Sequence, residues 1–155
     1  VAISKINFNS RELVTTPAFL ATPATGQNNI ALNTAVTVVL GTEIFDNNGD
    51  FSSNTFTAPV TGRYQLNMLV GLSQLDAGHT FSGANIITSN RNYLFTIDNA
   101  ADFSADFSEN PFCCTLSVLA DMDAGDTAHL TVQCQGGTQQ TDIYTGSFFG
   151  GYLVA

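Results

Sequence analysis

An all-β fold, with two antiparallel sheets packed as a sandwich or jelly roll, is what this sequence predicts, on three observations. Tyr64, Leu66, Met68 and Val70 recur at every second position, the period of a strand with one face in a core. Short apolar runs are separated along the whole chain by clusters of Gly, Pro, Asn, Asp and Ser, the residues that turns require. No segment carries the apolar spacing of a helix of about ten residues or more, and no fixed-period repeat appears.

The elements follow in order. Val1, Ile3, Ile6 and Phe8 alternate ahead of Pro17, so residues 1–16 read as an extended lead-in or the end of a stalk, with the head over 17–155. Ala18 to Ala21 is a short apolar strand closed by Pro23 and Gly26. Asn28 to Leu32 and Ala35 to Leu40 read as paired strands, the second continuing through Gly41 to Phe45 by a bulge. Asp46 to Leu66 is the most ordered stretch: a polar turn, a strand start at Phe56, then a Gly62-x-Tyr64 step into a long strand. Pro59 cannot donate to a ladder and is expected at a strand's beginning or on an edge.

Gly71 to Gly83 reads as a loop, Ala84 to Ser89 as a strand, and Asn90 and Arg91 as a turn into Tyr93, Phe95 and Ile97. Residues 98–111 form a long loop ending at Pro111. Phe112 to Ala120 and Ala128 to Cys134 are strands around the turn Asp121 to Asp126, and Gly136 to Gln140 is another turn. The last strand, Asp142 to Val154, is apolar on both sides: Phe149, Gly151 and Leu153 on one, Phe148, Tyr152 and Val154 on the other. Such a strand is covered twice. One cover is the domain's own core, and the other is a neighbouring subunit.

Composition points the same way. The chain has 155 residues, suited to one domain, and 44% are hydrophobic but only 11% charged, a low figure for a soluble monomer. Surface with so little charge is usually hidden by further copies of the chain. The net charge is −9, and all four bases (Lys5, Arg11, Arg63, Arg91) lie before position 92. Such a chain repels phosphate, which argues against nucleic acid as a direct ligand and against anionic membranes. No apolar run approaches the roughly eighteen residues of a membrane span, so membrane insertion is not expected. The first residues carry no signal-peptide core.

Chemistry-bearing residues are few. Phe19, Phe45, Phe51, Phe56, Tyr64 and Phe149 read as core packing. Asp121-x-Asp123-x-Gly125-Asp126 partly matches a calcium loop, yet the position of the ligating glutamate falls on Val132 and no helix flanks it, so a hairpin turn is the plain reading. Asp98, Asp102, Asp106 and Glu109 form a second acidic group, read as a solvated loop. Cys113 and Cys114 are adjacent and point to opposite faces. Cys114 and Cys134 both face the core, as buried free thiols or, alternatively, as a Cys114–Cys134 bridge. His79 and His129 lack zinc spacing. No nucleophile elbow, phosphate loop or metalloprotease helix is present, and His129 near Asp126 reads as a strand-start histidine, so no enzyme is expected.

Several of these residues carry a resemblance. Pro17-Ala-Phe19, Phe45-Asp46-x-x-Gly49, Phe56-x-x-Pro59-x-x-Gly62-x-Tyr64, Leu116-x-Val118 through Gly125-Asp126, and Phe149-Gly-Gly151-Tyr-Leu153 together resemble the C1q/TNF-like jelly-roll domains. The resemblance implies a ten-stranded, two-sheet homotrimer whose final strand lies near the threefold axis, with Phe148, Tyr152 and Val154 at the subunit contact. It also implies a core signature of Phe19, Phe45, Phe56, Pro59, Gly62, Tyr64, Phe149 and Gly151. Some members bind calcium near the trimer apex, which keeps Asp121, Asp123 and Asp126 as candidate cation ligands; no other cofactor is expected.

Short, acidic, Asn- and Thr-rich versions are similar to the heads of bacteriophage fibres and spikes. The expected function is therefore a non-enzymatic trimeric head of a viral fibre, spike or secreted protein, at a virion surface or outside the cell. Stalk or virion proteins would hold it, and loops Ser73–Gly83 and Asp98–Asn110 would meet a cell-surface receptor or glycan. The alternative is a structural knob that decorates a capsid or fibre, trimerises and recognises nothing.

Overall fold

The structure is a computed structural model, and it describes residues 16–97 and 111–154. The expected lead-in, apart from Thr16, and the Asp98–Asn110 loop with its acids lie outside the described residues.

The described residues form twelve strands: β1 (Ala18–Thr22), β2 (Ala35–Thr37), β3 (Thr42–Asp46), β4 (Phe51–Ser52), β5 (Thr55–Thr57) and β6 (Gly62–Ser73). They continue as β7 (His79–Thr88), β8 (Asn92–Ile97), β9 (Phe112–Met122), β10 (Thr127–Gly136), β11 (Asp142–Ile143) and β12 (Phe148–Leu153). No helix occurs among the described residues. All pairings are antiparallel and make two six-stranded sheets. In the first, β9 lies along β6 from Gly62↔Met122 to Leu72↔Phe112; on the other side of β6 come β11 and β12, then β1, then β3 at the edge. In the second the order is β4, β5, β10, β7, β8, with β2 also pairing β10.

The alternation read at Tyr64–Val70 is the core face of β6: Tyr64, Leu66, Met68, Val70 and Leu72 are all buried, and Ala128, Leu130, Val132 and Cys134 of β10 oppose them from the second sheet. At one end the core is aromatic. Phe19 stacks on Phe56 at 4.5 Å and on Phe51 at 5.2 Å, and meets the Phe149 edge at 5.0 Å. Gly151 lets β12 close against this cluster, since a Cβ there would stand 2.7 Å from Leu66 Cδ2 and 2.8 Å from Gln65 O.

The chain comes in and leaves at the same end of the sandwich, where Leu153 N–H donates to Pro17 O and Val154 N–H to Arg63 O. This end, the base, also carries the 58–61 and 123–126 turns, tied together by Gly125 N–H to Ala58 O and Ala58 N–H to Asp126 O. Loops 74–78, 136–141 and 144–147 lie at the opposite, far end.

Several expectations are corrected. Phe45 is 46% exposed, not core: the register shifts between Leu20 and Ala21, setting Phe45 opposite outward-facing Leu20. Pro59 is exposed in the turn after β5, and Ala58 takes the buried place; Gly62 is only half-buried where β6 opens. Phe19, Phe56, Tyr64, Phe149 and Gly151 are buried as expected. Asn28–Leu32 is irregular, Gly71–Gly83 is mostly strand with a turn only at 74–78, and the last strand is broken into β11 and β12 by a turn at 144–147. Cys114 and Cys134 are buried free thiols, not a bridge.

Candidate contact face

The alternation of β12 sends Phe149 into the core and leaves Phe148 half-buried, with Tyr152 and Val154 49% and 52% exposed, on the outside of the first sheet. The register places neighbours around them. Leu69 lies opposite Phe148 and Gln65 opposite Tyr152, while β1 and β3 bring Leu20 and then Phe45 alongside Gly150. On the far side of β6, Leu119 is 54% exposed opposite Gln65. Tyr144, 49% exposed, extends the patch towards the far end, resting over Gly71.

This makes one apolar face, with Phe148 as its ridge. Hollows of about 210, 330 and 390 Å³ flank Phe148, the first floored by Gly150 between Phe148 and Tyr152. The polar side chains within the face satisfy one another. Gln65 Nε2 donates to Ser117 Oγ at 2.8 Å, and Ser117 Oγ donates to Asn67 Oδ1 at 2.7 Å. A partner can therefore cover them at little desolvation cost. Sequence reading found Phe148, Tyr152 and Val154 but missed Leu20, Phe45, Leu69, Leu119 and Tyr144. The two-sided Ala18–Ala21 run was the signal for Leu20, whereas Phe45 depends on a bulge that no local pattern shows.

The acidic turn lies at the base, and its carboxylates are held by protein groups. Asp126 Oδ2 accepts from Asn90 Nδ2 and from Asp123 N–H, Asp123 Oδ1 from Thr61 Oγ1, and Asp121 Oδ1 from Arg91 Nε at 3.3 Å. The Arg91 hydrogen bond and charge lower the Asp121 pKa. Among the described residues no three His, Cys, Asp or Glu side chains converge as a metal set, so Asp121, Asp123 and Asp126 are not brought together as ligands. His129 is half-buried, and burial lowers its pKa. Burial pushes the Cys114 thiol up to about 12 and raises Cys134 as well, so neither is a ready nucleophile.

At the far end one carboxylate clasps two loops. Asp76 accepts hydrogen bonds from the backbone N–H groups of Gln139 (2.9 Å), Thr138 (2.7 Å) and Gly78 (2.7 Å). Gly137 is required there: its φ is +67°, and a Cβ would fall 2.6 Å from Asp76 Oδ2. Beneath it, buried His79 contacts Gln139 O through Nε2 and Ser82 Oγ through Nδ1. A carbonyl only accepts, so in the neutral ring Nε2 carries the proton and Nδ1 accepts from Ser82.

The three backbone donors, with a smaller contribution from His79, hold the Asp76 pKa at about 2. An unfolded aspartate titrates near about 3.9, so the clasp contributes stability above that pH and loses it as pH falls towards 2. In urea titrations from pH about 5 to 2, wild type is expected to lose more of its midpoint than Asp76→Asn. Parallel curves for the two proteins would show that the clasp contributes nothing.

No family model and no curated protein sequence matches the chain. Solved structures do. The globular domain of zebrafish complement 1qA superposes with a TM-score of 0.60 at 15% identity, covering 90% of this chain and 98% of that one. Murine APRIL gives 0.59 at 12% identity, covering 89% and 98%. At these identities the likeness concerns the fold, and with the two antiparallel sheets described above it shows that this chain folds as a C1q/TNF-like jelly roll.

Proposed function

We propose that this chain is a non-enzymatic attachment head that works as a homotrimer, packed through the outer face of the first sheet. It would sit on a fibre, spike or comparable stalk at a virion surface or outside the cell and engage a cell-surface receptor or glycan. The observation that supports this most is the face itself: exposed Phe45, Tyr152 and Val154 lie together with half-buried Leu20 and Phe148 on a chain with few charges. A contiguous apolar patch of this kind is uncommon on a monomer and usual at a subunit contact. The fold adds support, because C1q/TNF-like domains commonly assemble as homotrimers and bind receptors. Attachment follows from avidity, since three weak sites held on one rigid body gain about 10² to 10⁴ over one.

The test is binding of the purified head to candidate host cells. Saturable binding that weakens at least about tenfold in a variant unable to assemble is the expected result. If no host gives saturable binding, the chain is a structural knob and the attachment reading fails.

A further inference from the structure

The two outer faces of the sandwich differ in kind. No Asp, Glu, Lys or Arg occurs in any strand of the second sheet, whereas the first carries Glu43, Asp46, Arg63, Asp121 and Asp142. In a chain with 13 acids, one whole sheet is free of charge. Its outward side chains include Thr55, Thr131, Gln133, Asn85 and half-buried His129, crossed by an apolar stripe of Phe81, Ile87 and Leu94.

Two details make this face more than inert solvent surface. Gly83 lies under the stripe, and a Cβ there would stand 3.1 Å from both Leu94 Cδ1 and Phe81 Cζ, so both side chains lie low over the sheet. Beside it Asn85 is 6% exposed although it points outward, and its Oδ1 is buried with no hydrogen-bond partner among the described residues. Among the described residues the polar contact of its side chain is a 3.4 Å one from Nδ2 to Thr131 Oγ1. A buried amide oxygen without a donor is costly, and a partner whose hydroxyl group reached it would supply one.

We infer that the outer face of the second sheet binds a neutral saccharide. Sugar hydroxyls match the Thr, Asn and Gln side chains, and the C–H faces of the rings match Phe81, Ile87 and Leu94. Acidic sugars are repelled by a protein of net charge −9. This deepens the attachment reading and rests on it in one respect: packing through the first sheet leaves the second exposed in the assembly.

The experiment uses an array of defined neutral and acidic oligosaccharides, probed with wild type, Leu94→Glu, Gln133→Glu and Ala124→Glu. Leu94 and Gln133 are at least partly exposed, and Ala124 carries the same charge change in the base turn. Retention of neutral sugars that falls at least about tenfold in the two face variants and persists in Ala124→Glu supports the inference. Failure to retain any neutral sugar, preference for acidic ones, or equal loss in all three variants overturns it. Saturable cell binding together with an empty array would refute the saccharide while leaving attachment intact.

Discussion

Phe19→Ala is expected to lower the unfolding free energy by about 3 to 5 kcal/mol, the range for emptying a buried aromatic site. Phe19 is 2% exposed and touches three other rings, so truncation removes two stacked contacts and one edge contact at once. The cavity cannot collapse easily, because β1 is held between β12 and β3. Phe45→Ala is the matched comparison, expected to stay within about 0.5 kcal/mol when assembly is prevented, since its ring lies outside the core. Urea unfolding of both variants in a non-assembling background checks this. Equal losses would mean that Phe45 is core and the β1–β3 register is wrong.

Phe148→Glu supplies that background and is the second large effect. The side chain stands outside the first sheet, so a carboxylate there is solvated in a lone subunit and the fold is kept. In the assembly it would be a charge pressed into an apolar contact without a partner, costing several kcal/mol at each interface. The variant is expected to run at the chain mass of 16.4 kDa with an unchanged β-sheet circular dichroism spectrum. A variant that kept the wild-type mass would place the contact elsewhere; Leu94→Glu, altered on the other sheet, is expected to leave the mass unchanged.

How much of this was legible in the sequence depends on whether a residue answers to its neighbours or to distant ones. Tyr64–Val70 was readable because one-sided burial imposes a period of two within a single strand. The two-faced β12 was readable for the same reason, and it led to Phe148 and Tyr152. Phe45 was not, because its direction is set by a shift opposite Leu20 in another strand. The start of β7 was hidden by Ser82 and Gly83, a polar and a small residue that interrupt the apolar alternation although both are buried.

Asn28–Leu32 looked like a strand but is held by a bond from Asn29 N–H to the Asp142 carboxylate and by bonds from Gln140 Nε2 to Asn29 O and Ile30 O, all spanning more than a hundred positions, instead of by a ladder. The Asp76 clasp showed locally only its bond from Gly78, since its other two donors belong to Thr138 and Gln139, more than sixty positions away. The acidic turn was legible as the hairpin turn between two strands, while the protein donor that each of its carboxylates receives comes from residues the local spacing does not show.

Self-assembly through the outer face of the first sheet is the claim on which the attachment reading depends, and light scattering on the purified wild-type chain at micromolar concentration tests it most directly. The mass predicted is three times 16.4 kDa. A mass of 16.4 kDa under those conditions would contradict it.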